Sequence, residues 1–299
     1  MSIPAILSMS KKFENFCLNI RINEDSTKKI SARYKAITKR LNIDFYNTES
    51  EINHSLYVGS YGRDTDIHVS DIDVIFQMPY AVYKQYNSYI WNWQSALLQA
   101  VKTSIQNRYN TTESHWDWQV VGVDFTDGIK FEIVPVFLLK DNKWYYYPDT
   151  HNQGSWKTTN PKPEIEEIRN KNMEWNSNLK RLCRMIRAWK EKCDVPLWGL
   201  LIDTFSSNFL ENWEYKDKSY VYYDWMIRDF FLYLSNLNED QEYWLAPGSN
   251  QRINRKGKFK YKAKQAYNLA REAIWYENEN MPNCANWKWK DIFGSKFTW

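Results

Sequence analysis

The sequence predicts an α+β fold of two lobes: a mixed sheet flanked by helices over residues 1–160, then an all-α lobe over residues 161–299. Three observations carry this. The strand-like apolar runs all fall in the first half, around Leu56, Ile72, Val121 and Ile133. Two of them alternate in polarity, and Asp127-Gly128 stands between them, which is a hairpin signal. Beyond Pro163 the apolar period becomes helical.

In chain order, residues 6–20 read as a first helix. Ser26 or Thr27 then caps a second one, in which Ile30, Tyr34, Ile37 and Leu41 recur at helical spacing. Leu56-Tyr57-Val58 reads as a short strand, and Asp71 to Phe76 as another, ended by Pro79. Tyr86, Ile90, Trp93, Leu97, Val101 and Ile105 form one helical stripe. The hairpin runs 119–125 and 129–138 follow. Residues 141–163 are polar and turn-rich without a clear period, and read as the connection between lobes. Thereafter Leu179, Leu182, Ile186 and Trp189 line one helix, Pro196 breaks it, and residues 200–210 and 226–234 supply two more. A last helix carries Ala263, Ala266, Tyr267, Ala270 and Ile274.

Composition narrows the functional classes. At 299 residues the chain can bury a large core. Its 40 Lys and Arg against 36 Asp and Glu make it only mildly basic, which does not by itself call for a nucleic-acid partner. Cys17, Cys183, Cys193 and Cys284 are widely spaced with no Cys-x-x-Cys pair, so a zinc site is not expected. No signal-peptide pattern and no apolar run of membrane-spanning length is present, so a soluble, cytoplasmic protein is expected.

The chemistry concentrates between Gly59 and Val74. Side chains alternate along a strand, so Asp71 and Asp73 project together while Ile72 and Val74 face the other way. Two such carboxylates repel unless cations lie between them, and hard divalent ions such as Mg2+ take oxygen ligands and bring phosphates with them. The Gly59-Ser60 turn just upstream offers backbone N–H groups at a helix start, a phosphate cradle. A lone Asp-x-Asp or a lone Gly-Ser is common on ordinary edge strands and turns. The two together, both bordering strand-like runs, point to nucleotidyl transfer.

Gly59-Ser60, Arg63, Thr65 and Ser70-Asp71-Ile72-Asp73 together resemble the signature of the DNA polymerase β-type nucleotidyltransferases. More narrowly, the stretch is similar to that of the bacterial CD-NTases, the cGAS/DncV-like nucleotidyltransferases. The resemblance implies the two-lobed polymerase β-type fold, with an N-terminal spine helix in the first lobe. It implies two Mg2+ ions, with Mn2+ as substitute, and NTP substrates, ATP or GTP first and a pyrimidine NTP as an alternative. The product is a cyclic di- or trinucleotide that activates a downstream effector in anti-phage (CBASS-type) signalling. Asp71 and Asp73 then bridge both ions. The family's third carboxylate precedes an apolar residue and proline, which fits Glu132 before Ile133-Val134-Pro135, although many members carry Asp there. Asp124, on the partner strand, is the competing candidate. Gly59 and Ser60 grip the donor phosphates. Arg63 either contacts phosphate or pairs on the surface with Asp64 or Asp66. A basic residue on the 179–189 helix reaches the donor triphosphate, Arg187 or Arg184 here. The next helix often opens with serine in the family, where this chain has Gly199, and Asp203 on it reads as structural.

From Arg252 to Lys264 seven residues are basic and none is acidic, with Phe259 and Tyr261 interleaved. That suits a charged loop leading into a helix, or an RNA- or DNA-binding activating surface. Two alternatives to a cyclase share the same motifs: a template-independent enzyme that modifies RNA, tRNA or protein, and a non-catalytic binding module of the same fold.

Overall fold

A computed structural model describes residues 8–69, 71–88, 93–109, 113–117, 119–151 and 154–298, with the side chains of 113–117 left aside. Ile6, Ser70 and Ile90, all used in the sequence reading, lie outside the described residues. The chain divides into two units: one of residues 22–63 and 68–162, the other of residues 1–21, 64–67 and 163–299. The division is discontinuous, because the second unit takes the N-terminal segment and a tetrapeptide from within the first.

The first unit is built on helix α2 (Glu24–Tyr46) and a mixed sheet. Asn23 caps α2, accepting from Ser26 N–H at 2.8 Å, so the helix starts ahead of the predicted Ser26 or Thr27 cap. Ile30, Ile37 and Leu41 face the core as their spacing requires. The sheet contains β1 (Ser55–Tyr57), β2 (Ile72–Gln77), β3 (Glu113–Asp117), β4 (Val120–Asp124) and β5 (Lys130–Leu138) in the order β1-β2-β5-β4-β3. β2 and β5 run parallel; the other neighbours on this path are antiparallel. A five-residue helix, α3 (Gly59–Arg63), follows β1. The predicted Asp127-Gly128 hairpin is present: Gly128 has φ +83° and Phe125 N–H donates to Ile129 O at 3.0 Å. Arg33 on α2 grips that turn with a fork on Asp127 of 2.8 and 2.9 Å.

Three departures from the sequence reading belong to this unit. The stripe from Tyr86 to Ile105 falls on two helices, α4 (Tyr80–Asn87) and α5 (Trp93–Gln106), α4 being capped at Ser88. Strand β3 was not anticipated. The segment read as a connection holds a hairpin of β6 (Tyr145–Asp149) and β7 (Ser155–Thr159), with β6 pairing to the end of β5. An edge ribbon is half-solvated and need not alternate cleanly.

The second unit is helical: α1 (Met9–Asn19), α6 (Pro161–Glu174), α7 (Asn178–Lys192), α8 (Gly199–Glu211), α9 (Tyr223–Asn236), α10 (Lys260–Asn278) and α11 (Pro282–Phe293). α6 begins within the first unit's last residues, and α11 lies beyond the helix expected to be last. A two-stranded ribbon, β8 (Tyr243–Leu245) with β9 (Arg252–Asn254), interrupts the helices. The core joins Phe13, Phe16, Trp189, Phe230, Phe231 and Trp289, all fully buried. No described helix is long and apolar enough to cross a membrane. All four cysteines are free thiols.

Candidate active site

Strand β2 sets the geometry of the first unit's site. Ile72, Val74 and Phe76 are buried in the core beneath the helices, so Asp73 and Ile75 face the opposite side. Parallel pairing sets Asp73 directly beside Glu132 on β5. Neighbouring strands lie about 4.8 Å apart, so the two carboxylates share one face at one strand spacing. Asp71 stands one residue ahead of the strand and is exposed.

The electrostatics follow from this crowding. Burial, then the charge of Glu132, pushes the Asp73 carboxyl up to about 6, with Asp71 adding to the rise and Arg63 opposing it. The rival carboxylate is elsewhere on the sheet. Asp124 is opposite Lys130, whose Nζ it holds at 3.2 Å, whereas Gly122 is the residue opposite Glu132. By register, Glu132 is the residue beside Asp73, and Asp124 is two positions along β4 from the residue opposite Glu132.

Gly59 begins α3 at φ +60°, and a Cβ placed on it would lie 1.8 Å from Asp73 Oδ2. Glycine is required there twice over, by backbone conformation and by the approach of the carboxylate. Val58 N–H donates to Asp73 O at 2.9 Å, which ties the start of the Gly59-Ser60 turn to the carboxylate strand. Arg63 ends α3 and is 6% exposed, so its side chain lies off the surface.

In the second unit Asp64 takes two cations, Lys180 at 3.1 Å and Arg184. Arg184 also donates to Asp64 O at 2.7 Å. Arg187 is buried and makes a fork on Asp203, 2.6 Å to Oδ1 and 3.0 Å to Oδ2, with a further bond of 3.1 Å to Gly199 O. The structural reading of Asp203 agrees with this: it is 0% exposed and also accepts from Thr65 Oγ1 at 3.1 Å. A Cβ on Gly199 would stand 3.3 Å from Arg187 Nη2, a tight contact to which the guanidinium would have to give way. The Asp64 and Thr65 partners are more than a hundred residues away in the chain, and no local motif marks them.

Asp73, Glu132 and Asp71 offer only oxygen donors and carry mutual repulsion, the chemistry that a hard divalent cation relieves. Among the described residues no three His, Cys, Asp or Glu side chains converge as a ready-made metal cage. The donor types fit a divalent ion.

A mixed sheet with an acidic strand end beside a Gly-Ser helical turn defines a polymerase β-type nucleotidyltransferase fold. Residues 7–172 match the family model for the Second Messenger Oligonucleotide or Dinucleotide Synthetase domain, and the chain belongs to that family, the bacterial CD-NTases. The chain is 25% identical over 217 residues to Probable cyclic nucleotide synthase of Bacillus cereus (strain VD146), an alignment that covers 68% of this chain and spans 60% of the relative's length. Solved structures with the same fold include Escherichia coli MS115-1 CdnC in complex with HORMA-deltaN, with a TM-score of 0.72, 14% identity, and 97% and 98% of the two chains covered. Bradyrhizobium diazoefficiens CdnG in complex with GTP has a TM-score of 0.70 at 9% identity, covering 98% and 97%. The 3'-deoxy GTP bound form of E. coli DncV has a TM-score of 0.65 at 11% identity, covering 93% of each chain.

Proposed function

We propose that the protein joins free NTPs into a cyclic di- or trinucleotide, a second messenger for bacterial anti-phage signalling. The observation that carries the reading is the side-by-side register of Asp73 and Glu132 at the Gly59-Ser60 turn. Membership of a family described as second-messenger synthetases supports the cyclising branch over RNA tailing or a catalytically silent module.

Asp71, Asp73 and Glu132 would hold two Mg2+ ions, or Mn2+ in their place, which supply charge neutralisation at the phosphates and acidify the attacking ribose hydroxyl. The Ser60 hydroxyl and the first N–H groups of α3 donate to the donor's β- and γ-phosphate oxygens. Arg63, buried beside Asp73, offsets part of the carboxylate repulsion and fixes the end of the turn. The ribose hydroxyl of one nucleotide attacks the α-phosphorus of the other in line, and pyrophosphate leaves. Because Arg187 is engaged by Asp203, and Arg184 by Asp64, we assign both a structural share in holding the chain near the turn, with phosphate contact secondary.

The solved relatives in complex with HORMA-deltaN, ATP and GTP make ATP and GTP the first substrates to try and a protein partner worth testing. The site of the product's action is a downstream effector in the cytoplasm. The basic segment 252–264 is a weaker candidate for an RNA or DNA activator. There, Lys262 bonds Asp194 O at 2.7 Å and Phe259 is buried, so part of the run builds the fold.

The test is incubation of the protein with all four α-labelled NTPs and Mg2+ or Mn2+, followed by phosphatase, beside Asp71→Asn/Asp73→Asn. A phosphatase-resistant small product absent from the double variant supports the reading. Label transferred only to added RNA or protein would replace it with the macromolecule-modifying one.

A further inference from the structure

The tetrapeptide Asp64-Thr65-Asp66-Ile67 belongs to the helical unit, while the chain on either side of it belongs to the sheet unit. Asp64, Thr65 and Ile67 are each engaged there. Asp64 leaves α3 at φ 56°, a left-handed conformation that Asp tolerates, with its carbonyl and carboxylate held by Arg184 and its other carboxylate oxygen by Lys180. Thr65 is 0% exposed and donates to Asp203, itself fully buried and fixed by the Arg187 fork. Asp66 is 9% exposed, and burial raises its carboxyl above the ordinary range, with Arg184 and Arg187 opposing the rise. Ile67 enters the helical core.

We infer that Thr65 and Asp203 are positioning residues for the reaction, acting through residues 64–67 on the stretch that carries Gly59, Ser60 and Asp71. The inference rests on the proposed use of that stretch. Its physical basis is chain length. Arg63 is bonded directly to Asp64, and only three residues separate Ile67 from Asp71. Because Arg63 and Asp64 share a planar trans peptide bond, a shift of the tetrapeptide is passed directly to the end of α3. Misplacement of reacting groups by about 1 Å can cost about 10²-fold in rate.

The experiment compares Thr65→Val, which removes the hydroxyl at similar volume, with Thr65→Ser, which keeps it. Asp64→Asn adds a change at a half-exposed carboxylate. Amide hydrogen exchange across residues 59–76 and across α7 and α8 is measured beside kcat and KM for NTP. The expected result is a fall in kcat of about tenfold or more in Thr65→Val, with KM little changed. Exchange is faster over 59–76 while α7 and α8 stay protected, Thr65→Ser restores both, and Asp64→Asn gives a smaller change of the same kind. Wild-type exchange over 59–76 in both Thr65→Val and Asp64→Asn would overturn the inference, as would a loss spread equally over all helices and not restored by serine. Should the wild type make no nucleotide product, the functional reading fails and the exchange pattern alone decides this inference.

Discussion

Gly59 and Asp73 are in contact: the hydrogen of the Gly59 α-carbon occupies the space that the Asp73 carboxylate leaves, and a methyl group there would stand 1.8 Å from Asp73 Oδ2. Turn and carboxylate are thus fitted to each other. Gly59→Ala must displace the Asp73 side chain and strain a backbone at φ +60°. We expect product formation to fall by about 10²-fold or more while the protein remains folded. Initial rates with near-wild-type far-ultraviolet circular dichroism would show it; wild-type rates would mean that Asp73 can move without consequence.

Asp73 is held against its own environment. Its carboxyl is raised to about 6, so in cation-free buffer it binds a proton in the folded state at pH values where the unfolded chain has lost it. Folding stability from this group is therefore fullest below about pH 4 and lost as pH rises through about 6. Asp73→Asn removes that loss. At pH 7.5 without divalent ions the variant should be inactive yet more stable by about 1–3 kcal/mol, seen as a higher Tm. The gain should shrink on acidification. An unchanged or lower Tm would contradict the electrostatic account.

Asp127 behaves oppositely. The Arg33 fork holds its carboxyl down to about 2, so this stability is present above about pH 4 and lost as pH falls through 2. The pair is partly exposed, which limits its worth to about 1 kcal/mol. Asp127→Asn should lower Tm slightly at pH 7 and by less at pH 3, with activity at pH 7 unchanged.

Much of this was legible in the sequence because its signals are local. Asp71, Asp73 and the Gly59-Ser60 turn lie within fifteen residues, and the Asp127-Gly128 hairpin declares itself in a dipeptide. The amphipathic helices around Leu182 and Phe230 followed from period alone. What escaped was non-local or edge-like. β6 and β7 form a ribbon whose outer strand, β7, is an edge, so its polarity does not alternate cleanly. The burial of Arg63 and the seizure of Asp64 by Lys180 and Arg184 depend on residues far apart in the chain. The pairing that sets Glu132, and not Asp124, beside Asp73 is likewise non-local, a matter of strand register.

That register makes the central claim directly measurable. Glu132→Gln and Asp124→Asn each remove one charge from neighbouring strands, but only Glu132 is beside Asp73. Conversion of α-labelled NTPs to phosphatase-resistant product should fall by about 10²-fold or more in Glu132→Gln and stay within a few-fold of wild type in Asp124→Asn. Full activity in Glu132→Gln, or its loss in Asp124→Asn alone, would contradict the assignment of the Asp73–Glu132 pair as the catalytic carboxylates.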